Sequence, residues 1–391
     1  MPVSQKILWA CLPAALALPA PLGAAGTIPL SAAGSCTLRF TSTDNPTSSN
    51  PQSVVVADFN GDGNADFAEV NYNGGAGGTV SVFLGNGDGT FQTAKTYATG
   101  AGPDALAVAD VNGDHVPDLV VGNDTGTSVS VLIGNGDGSF QTQVRYVAGS
   151  FPHWVALADF NGDGKPDIAV TNEGDNDVGV LLNNGDGTFG AMKTYPTAVE
   201  PYSVAAADFS HDGKIDLAVT GYYASVVSLL AGNGDGTFKT HVDIASGNSP
   251  AVVIAHDLNG DHNIDLATAN YNSGQTGSVS VLLGNGDGSF QAHQDYTVGT
   301  GPDGLAVGRF NGDNFDDLAV ANLIGGTMSV LPGNGDGTFG AHVAFATDQF
   351  PLGVAVGRFH GNKAANEDVV VTNDLSKAAT FFYNTRKHRC R

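Results

Sequence analysis

Basic charge is scarce in this chain: 16 Lys and Arg stand against 39 Asp and Glu, a net charge of −23 over 391 residues. That balance repels nucleic acid and anionic membranes and favours cations as partners. Helical periodicity is missing as well, since no stretch keeps a 3.6-residue apolar period for three turns. Hydrophobic residues still make up 41% and charged ones only 14%, which separates the chain from disordered acidic sequences. Long apolar runs are confined to the start. Lys6 precedes an apolar stretch from Ile7 to Ala25, interrupted by Pro13, Pro19 and Pro21 and ending in small residues. This reads as a secretory signal peptide cleaved after Ala25 or as late as Ala33, and the mature protein is expected to be exported. No later stretch is long enough to span a membrane. Of three cysteines, Cys36 and Cys390 remain after such cleavage.

What is abundant is repetition. An acidic nonapeptide starts at Asp58, Asp110, Asp159, Asp208 and Asp257, with degenerate copies at Arg309 and Arg358, at intervals of 52, 49, 49, 49, 52 and 49 residues. A second motif, Gly-Asn-Gly-Asp-Gly-Thr/Ser-Phe, lies 25 residues before each later nonapeptide, from Gly85 to Gly333, with Asn183 replacing its first Gly in the third unit. Between them run short Val-, Ala- and Leu-rich segments bounded by Gly, Asn and Asp, which read as four strands per unit. Seven such units predict an all-β fold, a seven-bladed β-propeller of four-stranded antiparallel blades over residues 36–391. An open solenoid is the alternative. The last unit lacks a fourth strand, however, and Cys36–Asp44 is a strand without a unit. The N-terminal strand is therefore expected to complete the last blade and close the ring, with Cys36 and Cys390 joined by a disulfide.

The nonapeptides carry calcium chemistry. Calcium takes six to eight oxygen ligands, and a tight turn supplies them from alternate residues. The expected side-chain ligands, at positions 1, 3, 5 and 9, are Asp58, Asn60, Asp62 and Asp66; Asp110, Asn112, Asp114 and Asp118; Asp159, Asn161, Asp163 and Asp167; Asp208, Ser210, Asp212 and Asp216; and Asp257, Asn259, Asp261 and Asp265. Position 7 adds the backbone carbonyls of Asn64, Val116, Lys165, Lys214 and Asn263. Three carboxylates per turn repel one another without a cation, so about five structural Ca2+ sites are expected. Position 6 needs a positive φ, met by Gly63 and tolerated by His115 and His262. The sixth and seventh copies lack the first carboxylate. Arg309 is expected to pair with Asp313 or Asp317 instead. Glu69 completes an EF-hand-like spacing with Asp58, but the flanks are strands, so an EF-hand is not expected.

The two motifs in constant register resemble the FG-GAP/VCBS repeat family, whose best-known fold is the calcium-binding propeller of integrin α subunits. The resemblance covers nearly the whole mature chain and implies a secreted propeller with calcium between the first and second strands. A leg, a membrane span and a cytoplasmic tail are lacking, so integrin partners do not carry over.

Recognition is expected on the face opposite the calcium loops. The residue after a repeated Pro varies there from blade to blade: Gln52, Asp104, His153, Tyr202, Ala251, Asp303 and Leu352. Ligand-face candidates are His153, Trp154, Tyr202, Tyr222 and Tyr223, read as exposed aromatics suited to a glycan or extracellular protein; covering the channel mouth is the alternative role. No recognisable catalytic motif is present, although His153, Asp104, Asp303, Tyr202 and Glu173 are scattered acid–base groups. A non-enzymatic adhesion or recognition module is the expected function, with a polysaccharide lyase or hydrolase, or a passive surface protein, as alternatives.

Overall fold

A computed structural model of the chain describes residues 38–48, 50–73, 77–360 and 367–385. The described strands form seven four-stranded antiparallel sheets, six of them meanders of consecutive strands. In the second blade the strands are Pro103–Ala109, Asp118–Asn123, Ser128–Leu132 and Val144–Val147. The repeated Pro begins the first strand of every blade, where its missing N–H leaves no ladder position unfilled. First strands of neighbouring blades touch one another, and the exposed fourth strands lie at the rim. This places the first strands around a central channel. Short 3-10 turns occur at Asp124–Gly126 and Asn272–Gly274. No helix among the described residues is long and apolar enough to cross a membrane.

The second strand is buried from end to end in every blade, which explains its unbroken apolar run. Its side chains feed cores that lie between blades. One such core joins Phe59, Val70 and Val82 of the first blade to Leu106, Leu119 and Phe140 of the second. Burying each of these large side chains contributes about 1.5–3 kcal/mol.

The ring closes as the sequence implies. The strand Phe40–Pro46 pairs antiparallel with Ala378–Asn384, from Phe40 opposite Asn384 to Pro46 opposite Ala378, and completes the last sheet. The seam is rich in Phe: Phe67, Phe83, Phe359 and Phe381 share one core, and Phe310 and Phe382 share the next with Phe40. Cys36, Cys390 and the expected signal peptide lie outside the described residues.

Candidate calcium loops and channel mouth

Each of the first five nonapeptides links the first and second strands of its blade and folds into the same turn. Positions 4 and 6 take left-handed backbone, Gly61 at φ 72° and Gly63 at φ 82° in the first loop. His115 and His262 hold φ of 67° and 71° at position 6, so those substitutions leave the turn intact. His211 does the same at position 4 of the fourth loop, φ 56°. Asp58 Oδ1 accepts the N–H groups of Gly61 and Asp62, and its Oδ2 accepts that of Gly63. Asn60 and Asp62 accept from Asp62 and Asn64 in turn.

Position 9 has a second job that spacing does not reveal. Asp66 is fully buried; one oxygen accepts the Phe59 N–H at 2.9 Å and the other the Gly85 N–H at 2.7 Å. It thereby ties the nonapeptide to the second motif, which forms the turn between strands three and four. Asp118, Asp167, Asp216 and Asp265 repeat the arrangement. Burial raises the proton affinity of all five carboxyls, Asp118 and Asp265 to about 6; the two N–H groups oppose this and the position-1 and position-5 carboxylates add to it. Within the second motif, Asp88 accepts both the N–H and the hydroxyl of Thr90, an ordinary turn cap.

The loops also stitch blade to blade. The Phe59 carbonyl accepts the Gly138 N–H of the next blade, and Phe59 packs edge-on against Phe140, centroids 5.6 Å apart. Phe160–Phe238, Phe209–Phe290 and Phe359–Phe91 repeat the ring contact around the molecule. Asn183 fits the third unit because its Nδ2 donates to the Val111 carbonyl of the preceding blade.

For calcium, the donors are right in kind: all oxygen, from turns whose carboxylates crowd one another. The carboxylates are turned onto backbone N–H groups, and among the described residues no three His, Cys, Asp or Glu side chains converge on one point. Lysine competes in two loops: Lys214 Nζ is 3.1 Å from Asp212 Oδ2, and Lys165 Nζ is 3.7 Å from Asp163 Oδ2. Glu69 is no ligand, being fully buried in the strand Asp66–Asn71.

The opposite face is built from the blade links and the turns between strands two and three. At every blade the residue after the second strand donates its N–H to the carbonyl just before the Pro that begins the same blade, as Asp124 does to Gly102 and Tyr222 to Glu200. Two rings of side chains result. The inner ring holds the seven post-Pro residues; the outer holds Tyr72, Asp124, Glu173, Tyr222, Tyr271, Leu323 and Asp374. Acids concentrate on one side. Tyr202, Tyr222, Ala251, Tyr271 and Leu323 form an apolar cluster on the other.

The ligand-face candidates are not the exposed platforms expected. His153, Tyr202 and Tyr222 are buried, and Trp154 is half-buried against apolar cores of two different blades; only Tyr223 is exposed, at 54%. His153 lies on the Tyr202 ring, centroids 3.6 Å apart. Its Nε2 is 2.9 Å from Asp104 Oδ2 and its Nδ1 is 3.1 Å from the Tyr202 carbonyl. Burial lowers its proton affinity, but Asp104 more than reverses this, followed by Glu173 and Asp124, and holds it up at about 9. His153 is thus held from both sides of its ring, by the Asp104 carboxylate and the Tyr202 carbonyl.

Repeat models of the FG-GAP-like repeat match residues 70–121, 110–170, 159–219, 210–268 and 257–320, an unbroken span over more than half of the chain. The chain belongs to the FG-GAP-like repeat family. No curated protein matches it in sequence. Among solved structures it is similar to BBS1N from a complex with ARL6DN (13% identity, TM-score 0.63, 91% of this chain and 99% of that one). It is also similar to the periplasmic gluconolactonase PpgL of Pseudomonas aeruginosa (19% identity, TM-score 0.60, 78% and 87%). A third likeness is a catalytically inactive virginiamycin B lyase from Staphylococcus aureus with quinupristin (13% identity, TM-score 0.58, 88% and 99%). At such identities the likeness is one of fold.

Within the FG-GAP frame the sixth loop is the departure. Arg309 does not pair with Asp313 or Asp317: its Nε donates to Asp316 Oδ1 at 2.8 Å, and Asp316 also meets His256 Nε2 at 3.0 Å. Asn311 is buried instead and donates to both Asp313 and Asp317. A side-chain amide thus reaches both Asp313 and Asp317, while the guanidinium is spent on Asp316, outside positions 1, 3, 5 and 9.

Proposed function

We propose that this FG-GAP propeller is an exported, calcium-stabilised, non-enzymatic recognition module for a glycan or extracellular protein. Calcium held by the first five loops is structural, and ligand contact falls on the opposite face. The observation that carries the reading is the contrast between the two faces. The loop face repeats one turn, one clamp and one blade-to-blade stitch, whereas the mouth presents different side chains in almost every blade. Repetition suits a structural ion and variation suits a particular partner. Bound calcium would relieve the carboxylate repulsion in each loop and tighten the turn whose second residue stitches neighbouring blades together.

The test is binding of the mature protein to arrays of glycans and extracellular proteins in calcium-containing buffer, with calcium content and melting temperature measured alongside. Saturable binding weakened by Tyr223→Ala, bound calcium, and a melt lowered by chelator are expected. Turnover of a bound polysaccharide would replace recognition with catalysis. Absence of calcium together with an unchanged melt would remove the structural-ion part of the proposal.

A further inference from the structure

We propose that the turn between strands three and four is a site of spontaneous covalent modification: Asn86, Asn135, Asn233, Asn285 and Asn334 are deamidated to aspartate and isoaspartate, while Asn184 is spared. All six precede glycine. The chemistry needs only water. The backbone nitrogen of the glycine, having given its proton to a solvent base, attacks Cγ of the asparagine. The N–Cγ bond forms, the Cγ–Nδ2 bond breaks, and the amide nitrogen takes up a proton and leaves as ammonia. Water then opens the succinimide at either carbonyl, restoring the ordinary backbone as aspartate or rerouting it through the side chain as isoaspartate. Glycine permits the approach because it carries no Cβ. Two conditions remain: an accessible asparagine, and a glycine N–H that no acceptor holds.

Five blades meet both. Asn86, Asn135, Asn233, Asn285 and Asn334 are exposed, and among the described residues the N–H groups of Gly87, Gly136, Gly234, Gly286 and Gly335 have no acceptor. The nonapeptides also contain Asn-Gly, but there the first carboxylate takes the glycine N–H: Gly61 donates to Asp58 at 2.8 Å, Gly113 to Asp110 at 2.7 Å and Gly162 to Asp159 at 2.8 Å. The third blade supplies the closest comparison. Asn183 replaces the first Gly of the second motif, and its Oδ1 accepts the Gly185 N–H at 2.7 Å. Asn184 is otherwise like its counterparts, being exposed and donating from Nδ2 to Thr188 Oγ1 at 3.0 Å, as Asn86 does to Thr90 Oγ1 at 2.8 Å. Lys165 Nζ lies 3.3 Å from the Asn184 carbonyl. An ammonium there draws electrons from the peptide and favours loss of the glycine proton, so protection of Asn184 falls to Asn183. Each deamidation removes the donor to the hydroxyl four residues on and sets a second carboxylate two residues from Asp88 or its counterpart. The modified turns gain charge and lose a tether.

The test is incubation of the purified calcium-loaded protein at mildly alkaline pH, with deamidation followed at each Asn-Gly by peptide mapping and isoaspartate told from aspartate by fragmentation. A urea-unfolded sample run alongside gives the rate of each pair without structure. In the folded protein the five named asparagines should react about fivefold or more faster than Asn184, as release of one hydrogen bond allows, and Asn184 should match them when unfolded. Asn183→Gly, which restores the residue of the other blades, should bring folded Asn184 to the rate of Asn135 and leave Asn86 unchanged. Asn183→Asp, which keeps an acceptor for Gly185, should leave Asn184 slow; melting checks that both variants fold. Equal rates at Asn184 and the five in the folded parent would overturn the proposal. So would an Asn184 that stays slow in a folded Asn183→Gly protein, or second-motif asparagines that react no faster than Asn60, Asn112 and Asn161.

Discussion

At the scale of single residues, the mouth and the seam both use buried charge, with opposite outcomes. His153 has a matched carboxylate in Asp104, which raises its proton affinity. Glu69 is a carboxyl with almost nothing. Fully buried in the second strand of the first blade, it has no well-aligned hydrogen bond among the described residues, and burial raises it from 4.5 to about 8, with the Ser48 N–H and the Thr47 hydroxyl pulling it back only in part. Between those values the native state holds a proton that the unfolded state has lost, so stability falls as pH rises through that window. Glu69→Gln should flatten this slope. Urea unfolding in saturating calcium should show variant and parent alike near about pH 5, and the variant more stable near about pH 9; equal stabilities at both ends would mean that Glu69 is ionised in the folded state. Nothing in the sequence marked this residue except a chance EF-hand spacing, because its burial depends on strands of another blade.

At the scale of the loop, the sequence was legible wherever the chemistry is local. The donors, the left-handed position 6 and the tolerance of His115 and His262 all follow from nine consecutive residues. What required the structure was the three-dimensional course of the chain: the Asp66 clamp to Gly85 within one blade, the choice of Asp316 by Arg309 within one loop, and, between blades, the Phe59–Phe140 stitch and the burial of His153 against Tyr202. The last two join residues 81 and 49 positions apart, which radial packing brings together. The lysines of the third and fourth loops give a graded expectation. Lys214 holds the Asp212 carboxylate that a calcium ion would use, so Lys214→Asn should tighten the fourth site several-fold, and Lys165→Asn should do the same to a smaller extent in the third. Calcium titration by calorimetry should resolve the change as a shift of one weak site towards the stronger ones; an unaltered isotherm would show that the lysines stand aside when calcium binds.

At the scale of the whole molecule, closure decides stability, because every blade buries its second strand only with neighbours on both sides. The first and seventh blades depend on one added strand. Phe40–Pro46 covers Ala378–Asn384, an apolar edge of the kind that pairs with other molecules when uncovered. Hydrogen bonds from the Thr47 N–H to the Lys377 carbonyl and from the Thr385 N–H to the Arg39 carbonyl extend the pairing at its two ends. Phe382 is 2% exposed and packs edge-on against Phe40 and Phe345. Phe382→Ala should cost about 3–5 kcal/mol by urea unfolding, as a cavity in a dry core does. Removal of residues 38–48 should do more: it should abolish the single cooperative transition and produce aggregates on size exclusion. The Cys36–Cys390 disulfide would act on the same seam by a different route, through the unfolded chain, and is worth up to about 5 kcal/mol on an entropic account. Non-reducing peptide mapping should find the linked pair, and reduction should lower the melting temperature without changing the elution volume. If reduction instead opened the ring, covalent linkage rather than strand pairing would be what closes it. A strand-deleted protein that keeps its disulfide and still unfolds in one sharp step would point the same way.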